Sequence, residues 1–193
     1  VQEQKLEGHY SRHKVPGHTS DIFVTPTPAD KRLIEKTAEI LNNGKKIVIL
    51  VGQGALNASE EVIDVAQKLN APIIKAMLGK AVVPDDHPHS LGGIGFLGTE
   101  PSSDAMAESD TLFMIGTSFP YIEYLPRPGQ ATGIQIDIKP EKIGLRYPIK
   151  IGLIGDSKQV LSDLIPLLHD RRTDRRDNDT SAEFLKSKQE AMK

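Results

Sequence analysis

The chain has 193 residues, with 38% hydrophobic and 26% charged side chains and a formal net charge of -2. That size fits one domain with tails, and the near-neutral charge excludes a general electrostatic pull towards nucleic acid or anionic membrane. With no cysteine there is no disulfide frame, thiolate nucleophile or thiolate metal site, and no apolar run approaches the ~20 residues of a membrane span.

Residues 1–24 are polar and lack a regular period, so a linker or extended arm is expected. His9, His13 and His18 lie there, but Pro16 and Gly17 break their spacing and no metal site is expected. Thr27-Pro28-Ala29-Asp30 reads as a helix start, with Thr27 as N-cap and proline in the first turn. Leu33, Ile34, Ala38, Ile40 and Leu41 supply an apolar face at helical spacing, and Gly44 stops the helix. Lys46 to Val51 is a continuous, β-branched apolar run, as expected of a strand covered on both faces.

The alternation continues. Ser59 is expected to cap a helix carrying Val62, Ile63, Val65, Ala66 and Leu69, and Ala71 to Ile74 reads as the next strand. A polar stretch with His87 and His89, a glycine-dense loop from Gly92 to Gly98 and a short helix from Pro101 to Ala107 follow. Further strands are expected at Thr111–Ile115, Gly133–Asp137 and Ile149–Ile154, then a helix capped by Ser157. Strand and helix in turn mean βαβ units with right-handed crossovers. The expected fold is a Rossmann-like, open, mostly parallel α/β sheet of about five or six strands with helices on both faces. Residues 25–169 form this domain. From Asp170 to the end a charged linker is expected, with helical character from Ser181.

In open α/β sheets ligands bind beyond the carboxyl ends of the strands, and several features fall there. Gly116-Thr117-Ser118-Phe119-Pro120-Tyr121 follows a strand. Alone it reads as a tight turn with a core phenylalanine; alternatively its hydroxyls and N–H groups hold phosphate or ribose while an aromatic covers a ring. Gly52-Gln53-Gly54 resembles the start of a dinucleotide fingerprint but lacks the third glycine and the later acid, and a glycine-requiring turn explains it equally. Lys80 could pair a phosphate, the Gly92–Gly98 loop could cradle one, and Asp137 could accept both hydroxyls of a ribose. Asp85, Asp86, His87 and His89 lack a further ligand cluster for a metal. There is no G-x-S-x-G elbow and no P-loop.

Taken together and in order, Ile49–Gly54, Lys75–Lys80, Gly92–Gly98, Gly116–Tyr121, Ile136–Pro140 and Gly155-Asp156 resemble the central domain of thiamine-diphosphate-dependent enzymes. The likeness runs from about Pro28 to Leu168, and Phe-Pro-Tyr at the strand end points to the pyruvate oxidase and quinone-linked pyruvate dehydrogenase group. The resemblance implies FAD held in an extended pose by Ile94, Gly95, Phe96, Leu97, Thr117, Ser118, Phe119, Pro120, Tyr121 and Asp137, with Lys80 and Asp156 as further contacts. It implies thiamine diphosphate and Mg2+ on other domains, because the Gly-Asp-Gly…Asn-Asn type of segment is missing from this sequence. The implied parent is a cytoplasmic homo-oligomer, a dimer or tetramer, that oxidatively decarboxylates pyruvate. The alternative parent is an acetolactate synthase-like decarboxylase or carboligase whose central domain holds structural FAD, an adenine nucleotide or nothing. No catalytic residue is expected in this chain.

Overall fold

The computed structural model describes residues 29–172 and 180–192. Helix α1 (Lys31–Asn43) leads into β1 (Ile47–Val51), followed by α2 (Ser59–Leu69) and β2 (Ile73–Lys75). Then come β3 (Ser90–Gly93), α3 (Glu100–Glu108), β4 (Thr111–Ile115), β5 (Thr132–Asp137) and β6 (Ile149–Ile154). Two helices close the order, α4 (Ser157–Leu164) and α5 (Thr180–Glu190).

The six strands form one sheet in the order β3-β2-β1-β4-β5-β6, and every pairing is parallel. This is the Rossmann-like α/β sheet expected from the alternating patterns. β1 and β4 carry no polar residue inside the sheet apart from Thr111, and all ten of their residues are buried. The pleat sends alternate side chains to opposite faces. Ile47, Ile49, Val51, Phe113 and Ile115 therefore enter one core with α1, α2 and α4. Val48, Leu50, Leu112 and Met114 enter a second core with Ala105 and Met106 of α3 and Phe184 of α5. Each such Leu, Ile or Phe contributes roughly 1.5–3 kcal/mol by leaving water.

Three cap assignments and one strand differ from the sequence reading. Thr27 lies outside the described residues, and the N-cap of α1 is Asp30, whose carboxylate accepts from the Arg32 N–H at 2.9 Å. Ser59 is the first residue of α2 rather than its cap. Its hydroxyl donates to the Val82 carbonyl and pins the following loop to the helix start. Asp156, not Ser157, caps α4 by accepting from the Gln159 N–H at 3.1 Å. β3 occupies sequence read as loop. Its four residues, Ser90-Leu91-Gly92-Gly93, include two glycines, and the register slips between Ile73 and Ile74. Glycine-rich edge strands carry almost no pattern to read.

Candidate functional site

Because the sheet is parallel, all strands deliver their carboxyl ends to one edge. The strand order reverses between β1 and β4, so their crossovers leave in opposite directions and open a crevice. A cleft of about 1340 Å³ lies along that edge. It is lined by all twelve candidate residues: Lys80, Ile94, Gly95, Phe96, Leu97, Thr117, Ser118, Phe119, Pro120, Tyr121, Asp137 and Asp156.

The floor of the crevice is two strand ends pressed together. The Gly52 N–H donates to the Ile115 carbonyl and the Gly54 N–H to the Gly116 carbonyl, both at 3.0 Å. A Cβ on Gly116 would stand 2.4 Å from the Gly54 carbonyl carbon, and Gly116 has φ +58°. A Cβ on Gly52 would stand 2.5 Å from the Thr117 Cβ. Gly52-Gln53-Gly54 is therefore a turn whose glycines admit the neighbouring backbone. The fingerprint reading of that motif is set aside in favour of the packing one.

Two loops face the cleft with unused donors. Among the described residues, no hydrogen bond engages the N–H groups of Gly95, Phe96 and Leu97 after β3, or of Thr117, Ser118 and Phe119 after β4. Such rows of N–H groups suit phosphate or other anionic oxygens. Within these loops the roles divide by burial. Ile94 and Phe119 belong to the second core, and the Phe119 ring lies beneath Gly95. Phe96 and Leu97 are 92% and 80% exposed and form an apolar lip. The Tyr121 ring, also exposed, stands edge-on to Phe119 with centroids 5.5 Å apart. The hexapeptide is thus both a turn with a core phenylalanine and one wall of a cleft.

Asp137 ends β5 in a largely buried position. One carboxylate oxygen accepts from the Lys139 N–H at 3.0 Å, and among the described residues the other has no partner. The Asp137 carbonyl also accepts from the Gly155 N–H, which ties the ends of β5 and β6 together. Asp156 reaches the cleft wall, but one of its oxygens is committed to capping α4. Lys80 is exposed, with its ammonium 3.9 Å from Asp85.

Two polar residues that the sequence reading did not single out organise the site. Lys75 is a fully buried lysine at the end of β2. Its ammonium donates to the Val83 carbonyl at 3.0 Å and to the Asp85 carboxylate. Its hydrogen bond and charge hold the Asp85 carboxyl below the usual carboxylate range. Gln135 is buried in β5. Its amide donates to the carbonyls of Thr117 at 3.2 Å and Lys142 at 3.0 Å, and its oxygen accepts from the Gly144 N–H at 2.9 Å. One side chain thus fixes the β4 loop and the turn after β5. A charged or amide residue inside an otherwise apolar strand was the available signal for both.

Among the described residues, no group of three or more His, Asp or Glu is placed to hold a metal. His87 and His89 serve the loop instead. The His89 N–H donates to His87 Nδ1 at 3.2 Å, and His89 Nδ1 lies 2.9 Å from the Ala71 carbonyl, which fixes the proton on that nitrogen. Likewise among the described residues, no helix is long and apolar enough to cross a membrane.

The chain is 44% identical over 163 residues to YdaP of Bacillus subtilis (strain 168), provisionally described as thiamine pyrophosphate-containing; the match covers 83% of this chain and 28% of that protein. It is 34% identical over 148 residues to the acetolactate synthase large subunit of Haemophilus influenzae, covering 72% of this chain and 25% of the relative. Among solved structures it is similar to a provisionally assigned thiamin diphosphate-dependent enzyme from Mycobacterium smegmatis. That likeness has TM-score 0.63 and 27% identity, and covers 79% of this chain and 31% of that one. The chain therefore spans between a quarter and a third of the length of these relatives. The family described as "Thiamine pyrophosphate enzyme, central domain" matches residues 34–164, more than half of the sequence, and the chain belongs to that family.

Proposed function

We propose that this chain is the cofactor-placing domain of a thiamine-diphosphate enzyme of the acetolactate synthase-like kind, and that its cleft takes an adenine-bearing cofactor, FAD in the first instance. The observation that carries the reading is the pair of facing loops with unengaged N–H groups, Gly95–Leu97 and Thr117–Phe119, beside the half-free carboxylate of Asp137. The residues fit the group. Asp137 accepts from ribose hydroxyls, the two loops donate to the diphosphate oxygens, and the apolar lip of Phe96, Leu97 and Tyr121 shields a flat ring from water. When bound, FAD supplies either a structural strut or an electron acceptor. The chain's own part is to bind and orient it. Thiamine diphosphate and Mg2+ belong in this proposal to other domains of the same polypeptide, within a homo-oligomer.

Support for the acetolactate synthase-like parent comes from relatives bearing that name, including those of Haemophilus influenzae and Escherichia coli. The pyruvate oxidase-like reading, in which pyruvate is oxidatively decarboxylated, keeps one observation in its favour. The Phe119–Tyr121 pair stands at the cleft wall, where an aromatic edge could contact a redox-active ring. Supplying the full-length protein with pyruvate separates the two. Carbon–carbon bond formation without reduction of an artificial electron acceptor is the expected result. Acceptor reduction without carboligation replaces it with the oxidase reading. Absence of FAD and adenine nucleotides from the purified protein, with no binding on addition, removes the cleft assignment itself.

A further inference from the structure

The cleft contains a glycine that the fold does not require. At Gly92 the backbone has φ +92°, and at Gly98 a Cβ would stand 2.8 Å from the Ile94 Cα, so both positions need glycine to fold. Gly93, between them at the end of β3, has ordinary backbone. A Cβ there would meet only the Lys75 carbonyl oxygen at 3.7 Å and the Gly98 Cα at 4.0 Å, both ordinary contacts. A Cβ is therefore tolerated at Gly93 with no closer contact, at a position that lines the cleft.

Its place in the sheet says which part of a ligand that space serves. Asp137 ends β5 and Gly93 ends β3, on the same carboxyl edge. Four strand-to-strand steps separate them, through β4, β1 and β2. At about 4.8 Å per step that is ~19 Å. An adenosine diphosphate anchored by its ribose at Asp137 ends well short of Gly93, whereas an extended dinucleotide reaches it. The surroundings at the far end are exposed and apolar, Met77 and Phe96, while the nearby Lys75 ammonium is already engaged by Val83 and Asp85. The Gly95–Leu97 loop leans back over the Phe119 ring towards β4, where its N–H groups would meet the diphosphate. The surface beyond it, at Gly93, Met77 and Phe96, suits a flat aromatic head.

We infer that Gly93 is a specificity-determining residue: by leaving the distal end of the cleft open it admits the second, aromatic head of a dinucleotide, and so separates dinucleotides from adenine mononucleotides. The inference rests on the nucleotide reading of the cleft proposed above.

The test titrates the full-length protein with FAD and, separately, with ADP, in the unsubstituted form and as Gly93→Leu, Gly93→Ala and Asp137→Ala. Gly93→Leu is expected to weaken FAD binding by about 10- to 100-fold, the scale of overpacking a filled site. ADP binding and the melting temperature of the ligand-free protein stay unchanged. Gly93→Ala gives a smaller loss of the same selectivity, and Asp137→Ala weakens both ligands. Unchanged FAD binding in Gly93→Leu overturns the inference. So does an equal loss of FAD and ADP. An unsubstituted protein that binds ADP but not FAD also overturns it while leaving the nucleotide reading intact. Binding of neither by the unsubstituted protein removes both.

Discussion

At the residue scale the site depends on polar groups placed where the sheet should be apolar. Gln135 is the clearest. Its amide satisfies two carbonyls and its oxygen one N–H, so three backbone groups from two loops rely on one buried side chain. Gln135→Leu keeps the volume but strands those groups, at a cost of roughly 1–3 kcal/mol for each that water cannot reach. Urea unfolding should show lower stability, and nucleotide affinity should fall as the Thr117 loop loses its tie. Unchanged unfolding and affinity would mean that the loops hold themselves. In the sequence such residues show only as polar breaks in apolar strands, because a single Gln or Lys in a strand says nothing of which loops it will reach. The glycines were legible as positions needing glycine but not as to why, since the neighbour they admit lies 62 residues away for Gly54 and Gly116. The histidines of the β2–β3 loop add a pH dependence. Burial holds both His87 and His89 below the ordinary imidazole value of about 6.5. Protonating His87 Nδ1 also removes the acceptor for the His89 N–H. A group with a lowered folded pKa contributes stability above its unfolded pKa and loses it as pH falls through the folded value. The melting temperature should therefore hold above about pH 7 and decline below about pH 6. His89→Gln should flatten that decline; an unaltered profile would assign it to other groups.

At the element scale the alternation of β1, α2, β2, α3, β4, β5, β6 and α4 was readable because hydrophobic period and turn chemistry agree in each. β3 was not, for lack of any period. α5 shows a third situation. Its sequence is weakly amphipathic and follows a charged run, so helical character was visible but its docking was not. Phe184 is 4% exposed within the second core, and the Lys188 ammonium lies 2.6 Å from Glu108 and 5.7 Å from the Phe184 ring centre. Lys46 approaches the same carboxylate and the same ring from the start of β1. Glu108 ends α3, where the helix dipole disfavours a carboxylate, and the two lysines offset this; the Lys188 hydrogen bond chiefly holds its carboxyl below the usual range. Packing and charge should contribute unequally. Phe184→Ala opens a cavity and should cost about 3–5 kcal/mol. Lys188→Met leaves Glu108 paired with Lys46 and half-exposed, so the loss should stay below about 1 kcal/mol. Denaturant midpoints of the two variants, taken at equal slope, decide this. The reverse ranking would make α5 an electrostatic attachment rather than part of the core.

For the whole molecule, the same topology that closes two cores leaves the carboxyl edge of the sheet open along the cleft. Helices cover both faces, and the parallel order brings every strand's carboxyl end to the cleft. The core is therefore complete without a ligand, while among the described residues the N–H groups of the cleft loops have no hydrogen-bond partner. Occupancy should consequently add to stability by mass action without altering the cooperativity of unfolding. A ligand at one hundred times its dissociation constant adds about 2.7 kcal/mol. In a domain of this size that raises the melting temperature by roughly 2–4 °C per kcal/mol. The expected experiment is a melting series with ADP in which the midpoint climbs with the logarithm of ligand concentration while the transition keeps its width. Asp137→Ala should melt near the unliganded parent and need far more ADP for the same rise, because its carboxylate faces the cleft with one oxygen unengaged. If ADP moved the variant and the unsubstituted protein equally, the ribose would lie elsewhere along the edge. If ADP moved neither, the open N–H groups would serve contacts between domains rather than a nucleotide.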